Sequence, residues 1–158
     1  MELTPTNNIN VHKFKSDNNF LFFHAKVIRK KVFVVEQKVR PEEELDEFEK
    51  QSTHYLAYYG ARQVGTARWR FTEEGIKLER FAVIEKYRNL AIGSAILNKV
   101  LEDVKNEGKK IYLHAQVSAV KFYERAGFVK EGGLFSECNI DHYKMVYKAP
   151  SKGLKFDF

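Results

Sequence analysis

The sequence predicts one α/β domain of the α+β type, a mixed and mostly antiparallel sheet flanked by helices. Three observations carry that expectation. Segments 53–59, 64–71 and 76–83 follow one another through short turns, as consecutive antiparallel strands do. A long amphipathic segment from Ile92 then leads to an alternating segment at 111–117. Strand, helix and strand in series require a right-handed crossover and one parallel pairing. Finally, 158 residues suit a single domain, 1–158, with a sizeable core.

The elements follow in order. Residues 10–15 read as an edge strand anchored by Val11 and Phe14, after which Ser16 or Asp17 can cap a helix. Phe20, Phe23 and Val27, with Leu21 and Ile28, repeat at helical spacing and read as core. A stretch from Pro41 holds six carboxylates in eight residues, Glu42 to Glu49. It reads as a solvated loop or short helix, or as a lure for a cationic amine. The strands 53–59 and 64–71 are joined through Gly60-Ala-Arg-Gln63, and Glu73-Glu-Gly75 turns into 76–83. The long helix buries Ile92, Ala95, Ile96, Val100 and Val104, and Gly108 is placed to end it. A second helix at 119–126 stops at Gly127, and strands follow near 128–131 and 142–148. Residues 148–158 read as a tail.

Composition narrows the partners. The net charge of +6 invites nucleic acid, yet the basic residues are scattered and no finger spacing or RNA-reading aromatic motif is present. We expect no nucleic-acid partner; a basic surface equally suits an anionic cofactor. The first residues are polar, no segment has signal-peptide character, and none is long enough to span a membrane. With the lone Cys138 permitting no internal disulfide or cysteine cluster, a cytoplasmic protein is expected. No spacing suggests a metal. Open sheet edges allow a monomer or a homodimer.

Chemistry concentrates at Arg88-Asn-Leu-Ala-Ile-Gly93, between a strand and the long helix. Unpaired N–H groups and the positive end of the helix dipole make such a turn an anion site. Ala91 and Gly93 leave room for a phosphate, and Ser94 adds a hydroxyl. The residues of a Walker A loop and of a dinucleotide-binding G-x-G-x-x-G are absent. What is present, Arg88-x-x-Ala91-x-Gly93 after Phe81-Ala-Val83, resembles the signature of the GNAT superfamily of acyl-CoA-dependent N-acetyltransferases, with Ala91 in place of the usual Gly. Ala119-Val-Lys-Phe-Tyr-Glu-Arg-Ala-Gly-Phe128 matches a second, more specific GNAT segment, one helix and one strand downstream. Val32-Phe-Val-Val-Glu-Gln37, Glu44 and Asp46, and the series Gly132, Phe135, Glu137, Ile140, His142, Met145 are similar to the ElaA-like branch.

The resemblance implies a sheet whose strands 76–83 and 111–117 splay apart and admit the pantetheine arm of acetyl-CoA, bonded to Phe81, Ala82 and Val83. It places the diphosphate at Arg88, Asn89, Leu90, Ala91, Ile92, Gly93 and Ser94. Gln116 falls where many members carry Asn. It makes Tyr123 the candidate acid for the departing thiolate, against a plain packing role. For the base that deprotonates the acceptor amine, Glu79 and His114 are candidates, and acyl transfer can also rest on positioning alone. Cys138 lacks a motif for a covalent role. The expected activity is acetyl transfer to an amine of a small molecule or peptide. The alternatives are a non-catalytic acyl-CoA sensor of the same fold and a basic RNA- or protein-binding module.

Overall fold

The computed structural model describes residues 8–149, so the expected tail lies outside the described residues from 150 onward. Alternating apolar residues produce strands β1 (Ile9–Phe14), β2 (Thr53–Tyr59), β3 (Arg62–Phe71) and β4 (Ile76–Val83). Helix α3 (Ile92–Val104) crosses over to β5 (Ile111–Gln116); α4 (Val120–Arg125), β6 (Phe128–Lys130), β7 (Phe135–Glu137) and β8 (Ile140–Tyr147) complete the described residues. The sheet runs β1-β2-β3-β4-β5-β8-β6, with β7 also on β8. Among the described residues, only β4 and β5 pair in parallel. The expected mixed, mostly antiparallel sheet flanked by helices is therefore present, with β7 as an additional strand.

Strand β2 is buried on both faces. Tyr55 and Ala57 join the larger core under α3, while Leu56, pointing the other way, joins a second core with Phe14, Ala25, Ile28, Val32 and Ala82. Ile92, Ile96, Leu97, Val100 and Val104 are all buried, each side chain contributing roughly 1.5–3 kcal/mol of transfer free energy. Between β3 and β4, Gly75 adopts φ +150° with an added Cβ only 2.2 Å from the Lys110 carbonyl oxygen. No other residue fits there without backbone movement.

Helix α1 (Asn19–Arg29) corrects two expectations. Its cap is Asn18, whose side-chain oxygen accepts the Leu21 N–H at 3.1 Å, rather than Ser16 or Asp17. Its buried face is Ala25, Ile28 and Arg29; Phe20, Phe23 and Val27 stand 61%, 57% and 36% exposed. Both stripes have the same period, so periodicity alone did not say which one faces the sheet. The helix runs on as a π-helical stretch, Lys30–Glu36. Its β-branched Val32, Val34 and Val35 crowd a tight α-helical turn. A short helix α2 (Pro41–Glu44) follows.

Candidate active site

Strands β4 and β5 pair only through Ile76–Ile111, Lys77–Tyr112 and Leu78–Leu113. Beyond that point they part. The cause lies in β4: Arg68 faces Glu79 and Thr66 faces Ala82, so three steps on β4 oppose two on β3. The extra residue makes a bulge, with Arg80 at φ +60°, and a bulge bends its strand away from its neighbour.

The gap leads to the turn before α3. Asn89 and Ala91 there both adopt left-handed backbone, φ +69° and +68°. Ala91 is the N-cap of α3 and makes no side-chain cap bond. The N–H groups of Ile92, Gly93 and Ser94 are accordingly without helical partners and carry the positive end of the dipole. Gap and turn share one cleft of about 660 Å³. Phe81, Ala82, Val83, Arg88, Asn89, Ala91, Ile92, Gly93, Ser94, Gln116 and Tyr123 line it. Leu90 is the exception and packs against the core.

Two contacts tie the end of the π-helical stretch across this cleft. Arg88 donates to both carboxylate oxygens of Glu36 at 2.8 Å and to the Val83 carbonyl at 2.9 Å. The Glu36 hydrogen bond raises the basicity of Arg88, and in return the carboxyl of Glu36 is held below its usual range. Gln116 donates to the side chain of Gln37 at 2.9 Å. These partners are 52 and 79 residues apart in the chain, and nothing in the local sequence announces them.

The six carboxylates of segment 42–49 divide: Glu42, Glu43 and Glu47 are exposed, as on a solvated loop. Glu44, Asp46 and Glu49 turn inward onto arginines. Arg29, only 1% exposed, donates to Glu44 and bidentately to Glu49 at 2.8 and 2.9 Å. Arg68, fully buried, grips Asp46 bidentately at 2.8 and 2.9 Å and Glu79 at 2.9 Å. Arg80 reaches the Glu44 carbonyl at 3.0 Å and Asp46 at 3.1 Å. Half of the charge of this segment is thus neutralised inside the protein, while Glu42, Glu43 and Glu47 stay exposed.

The same network bears on the two base candidates. Burial alone would raise the Glu79 carboxyl, but the hydrogen bond from Arg70 and the charges of Arg68, Lys77 and Arg70 outweigh it and hold it at about 2. A carboxylate so stabilised is a poor proton acceptor. His114 lies in the cleft with Nδ1 3.3 Å from Glu137 Oε2. Since a carboxylate only accepts, Nδ1 carries the hydrogen, and Nε2 is left as the basic nitrogen. Tyr123 lines the cleft and is 7% exposed. Burial pushes its phenol up, so it stays an O–H donor at all working pH values. Desolvation and the neighbouring Glu43 push the Cys138 thiol up as well, which disfavours a thiolate nucleophile. Among the described residues no cluster of three or more His, Cys, Asp or Glu is arranged to hold a metal. No helix among them is long and apolar enough to cross a membrane.

This architecture has relatives. The model of the acetyltransferase (GNAT) domain matches residues 16–149. The uncharacterised N-acetyltransferase YjcF of Bacillus subtilis strain 168 is 38% identical over 122 residues, covering 75% of this chain and 86% of that protein. Escherichia coli ElaA superposes with a TM-score of 0.80 at 24% identity, over 89% of this chain and 99% of ElaA. A GNAT family acetyltransferase from Elizabethkingia anophelis, solved with acetyl-CoA bound, gives a TM-score of 0.62 at 20% identity, over 88% of this chain and 95% of that one. Matched along nearly its whole described length, with its bent fourth strand and uncapped third helix, the chain belongs to the GNAT family of acetyltransferases and is an acyltransferase.

Proposed function

We propose that the chain moves the acetyl group of acetyl-CoA to a primary amine of a small molecule or peptide, by direct attack without a covalent enzyme intermediate. The observation that supports this reading is the opening of the β4–β5 gap onto the uncapped start of α3, within one cleft. A linear amide-bearing arm suits the edge of β4 at Phe81–Val83 that β5 leaves without a strand partner, and a diphosphate suits the free N–H groups of Ile92, Gly93 and Ser94. The acetyl-CoA held by the Elizabethkingia relative supports the choice of donor. When bound, acetyl-CoA supplies an activated thioester. Residues of this chain then orient it, exclude water and move protons: a backbone N–H of β4 stabilises the developing oxyanion, and the Tyr123 hydroxyl donates toward the leaving sulfur.

The test is acetyl-CoA at about one hundred times its dissociation constant, which stabilises by about 2.7 kcal/mol and raises Tm by roughly 5–10 °C. Gly93→Glu abolishes this shift by setting a negative charge at the diphosphate site. A Cβ at Gly93 meets only Phe122, at 3.5 Å, so the variant still folds. Tyr123→Phe keeps the shift but lowers thiol release with an amine panel. Wild-type protein that shows no shift, or Gly93→Glu that shifts equally, refutes the proposal.

A further inference from the structure

Strand β8 brings one more group of side chains to the rim of the cleft. Its neighbours in register place His142 opposite Gln116 on β5 and opposite Phe135 on β7. Alternation along each strand then sets His114, two residues before Gln116, and Glu137, two residues after Phe135, on the same face. The contacts follow from that placement. Glu137 Oε2 is 3.3 Å from His114 Nδ1, and Oε1 is 3.9 Å from His142 Nε2. His142 Nδ1 is 2.6 Å from the Ile140 carbonyl, so that nitrogen donates and Nε2 faces the carboxylate. Phe135 stacks on His142 at 5.8 Å and meets the edge of His114 at 5.0 Å. His114, Glu137 and His142 all line the cleft.

We propose that Glu137 is a positioning residue of the acceptor side, which accepts the Nδ1–H of His114 and so presents Nε2 as the base for the incoming ammonium, while Phe135 packs against the His114 ring and keeps it in place. The inference rests on the acyl-transfer reading above and names its proton acceptor. The protons balance. The ammonium loses one proton to His114 Nε2, and the neutral amine forms the C–N bond. As the C–S bond breaks, the thiolate takes the Tyr123 hydroxyl proton, and the proton shed by the new amide nitrogen restores it. His114 returns its proton to solvent.

The electrostatics agree. Glu137 is held below the usual carboxylate range, first by the His114 hydrogen bond and then, against desolvation, by nearby positive charge that includes Lys77. Other titratable groups around the cluster are Glu79 on β4, Tyr112 on β5, Lys144 opposite His114 on β8, Glu43 on α2, and Cys138 beside Glu137. Glu79 does not compete for the proton, because three cations hold it.

The test is Glu137→Met, which keeps length and removes the acceptor. In the wild type, ¹⁵N NMR of the neutral His114 ring shows the Nδ1–H tautomer; in the variant it reverts to Nε2–H, the form free imidazoles favour. Thiol release from acetyl-CoA is followed with spermidine, L-lysine and 2-phenylethylamine as probes. The variant loses 10- to 100-fold in kcat on the amine that reacts fastest, and its acetyl-CoA Kd by calorimetry is unchanged. Glu137→Asp restores the wild-type tautomer. An Nε2–H tautomer in the wild type, or one that Glu137→Met leaves in place, overturns the proposal whatever the amine. Wild-type protein that does not bind acetyl-CoA overturns the acyl-transfer reading instead.

Discussion

Ala91 shows how much one residue holds. Its backbone sits at φ +68° at the N-cap of α3, where a Cβ crowds the following carbonyl and costs about 1–2 kcal/mol. Glycine, the usual residue of the family pattern, carries no such cost. Ala91→Gly should therefore raise stability by about 0.5–1.5 kcal/mol in urea unfolding, without loss of acetyl-CoA affinity. A destabilised variant would mean that the strain at this corner is offset by contacts of the methyl group. The sequence pointed to this residue through its spacing from Arg88 and Gly93. Its handedness was not readable, because handedness depends on how the preceding 3₁₀ turn, Glu85–Tyr87, delivers the chain.

At the scale of elements, the segment 41–49 is fastened to α1 by Arg29. That arginine is buried and meets two carboxylates. Arg29→Leu leaves Glu44 and Glu49 with buried, partly uncompensated charge, and should cost about 3–5 kcal/mol in urea unfolding. A loss below 1 kcal/mol would show that water reaches this layer. The contrast in legibility is physical. Strands β2 and β4 were readable to the residue, since their alternation and bounding turns are local. The inward turn of Glu44, Asp46 and Glu49 was not: their partners Arg29, Arg68 and Arg80 lie 15 to 36 residues away. For α1, two stripes of equal period competed, and only the sheet decided between them. The strand bearing Phe135 and Glu137 was seen as a branch-specific pattern, but its three-residue length gave no alternation to read.

Over the whole molecule, the buried ion pairs set the response to acid. The carboxyls of Glu79 and Asp46 are both held at about 2, from ordinary values of 4.5 and 3.8. For each, burial works upward and is outweighed by arginine hydrogen bonds and charges. Unfolding releases them to ordinary values, so the unfolded chain binds protons first. Stability should hold level from neutral pH to about pH 5 and fall steeply from about 4.5 toward 2. Urea unfolding across that range measures it, and Glu79→Gln should flatten the slope. A stability curve level down to pH 2.5 would mean these groups are as free in the folded protein as outside it.

The bend in β4 carries a consequence of its own. A sheet ordinarily has two margins, one at each flank; here a third lies in the middle, between Leu78 and the end of β4, with α3 packed against β3 and β4 and α4 against β5. Flank margins accept any passing strand. This inner one is reached only past the helices that flank it, so a visitor must thread the protein before its chemistry is tested.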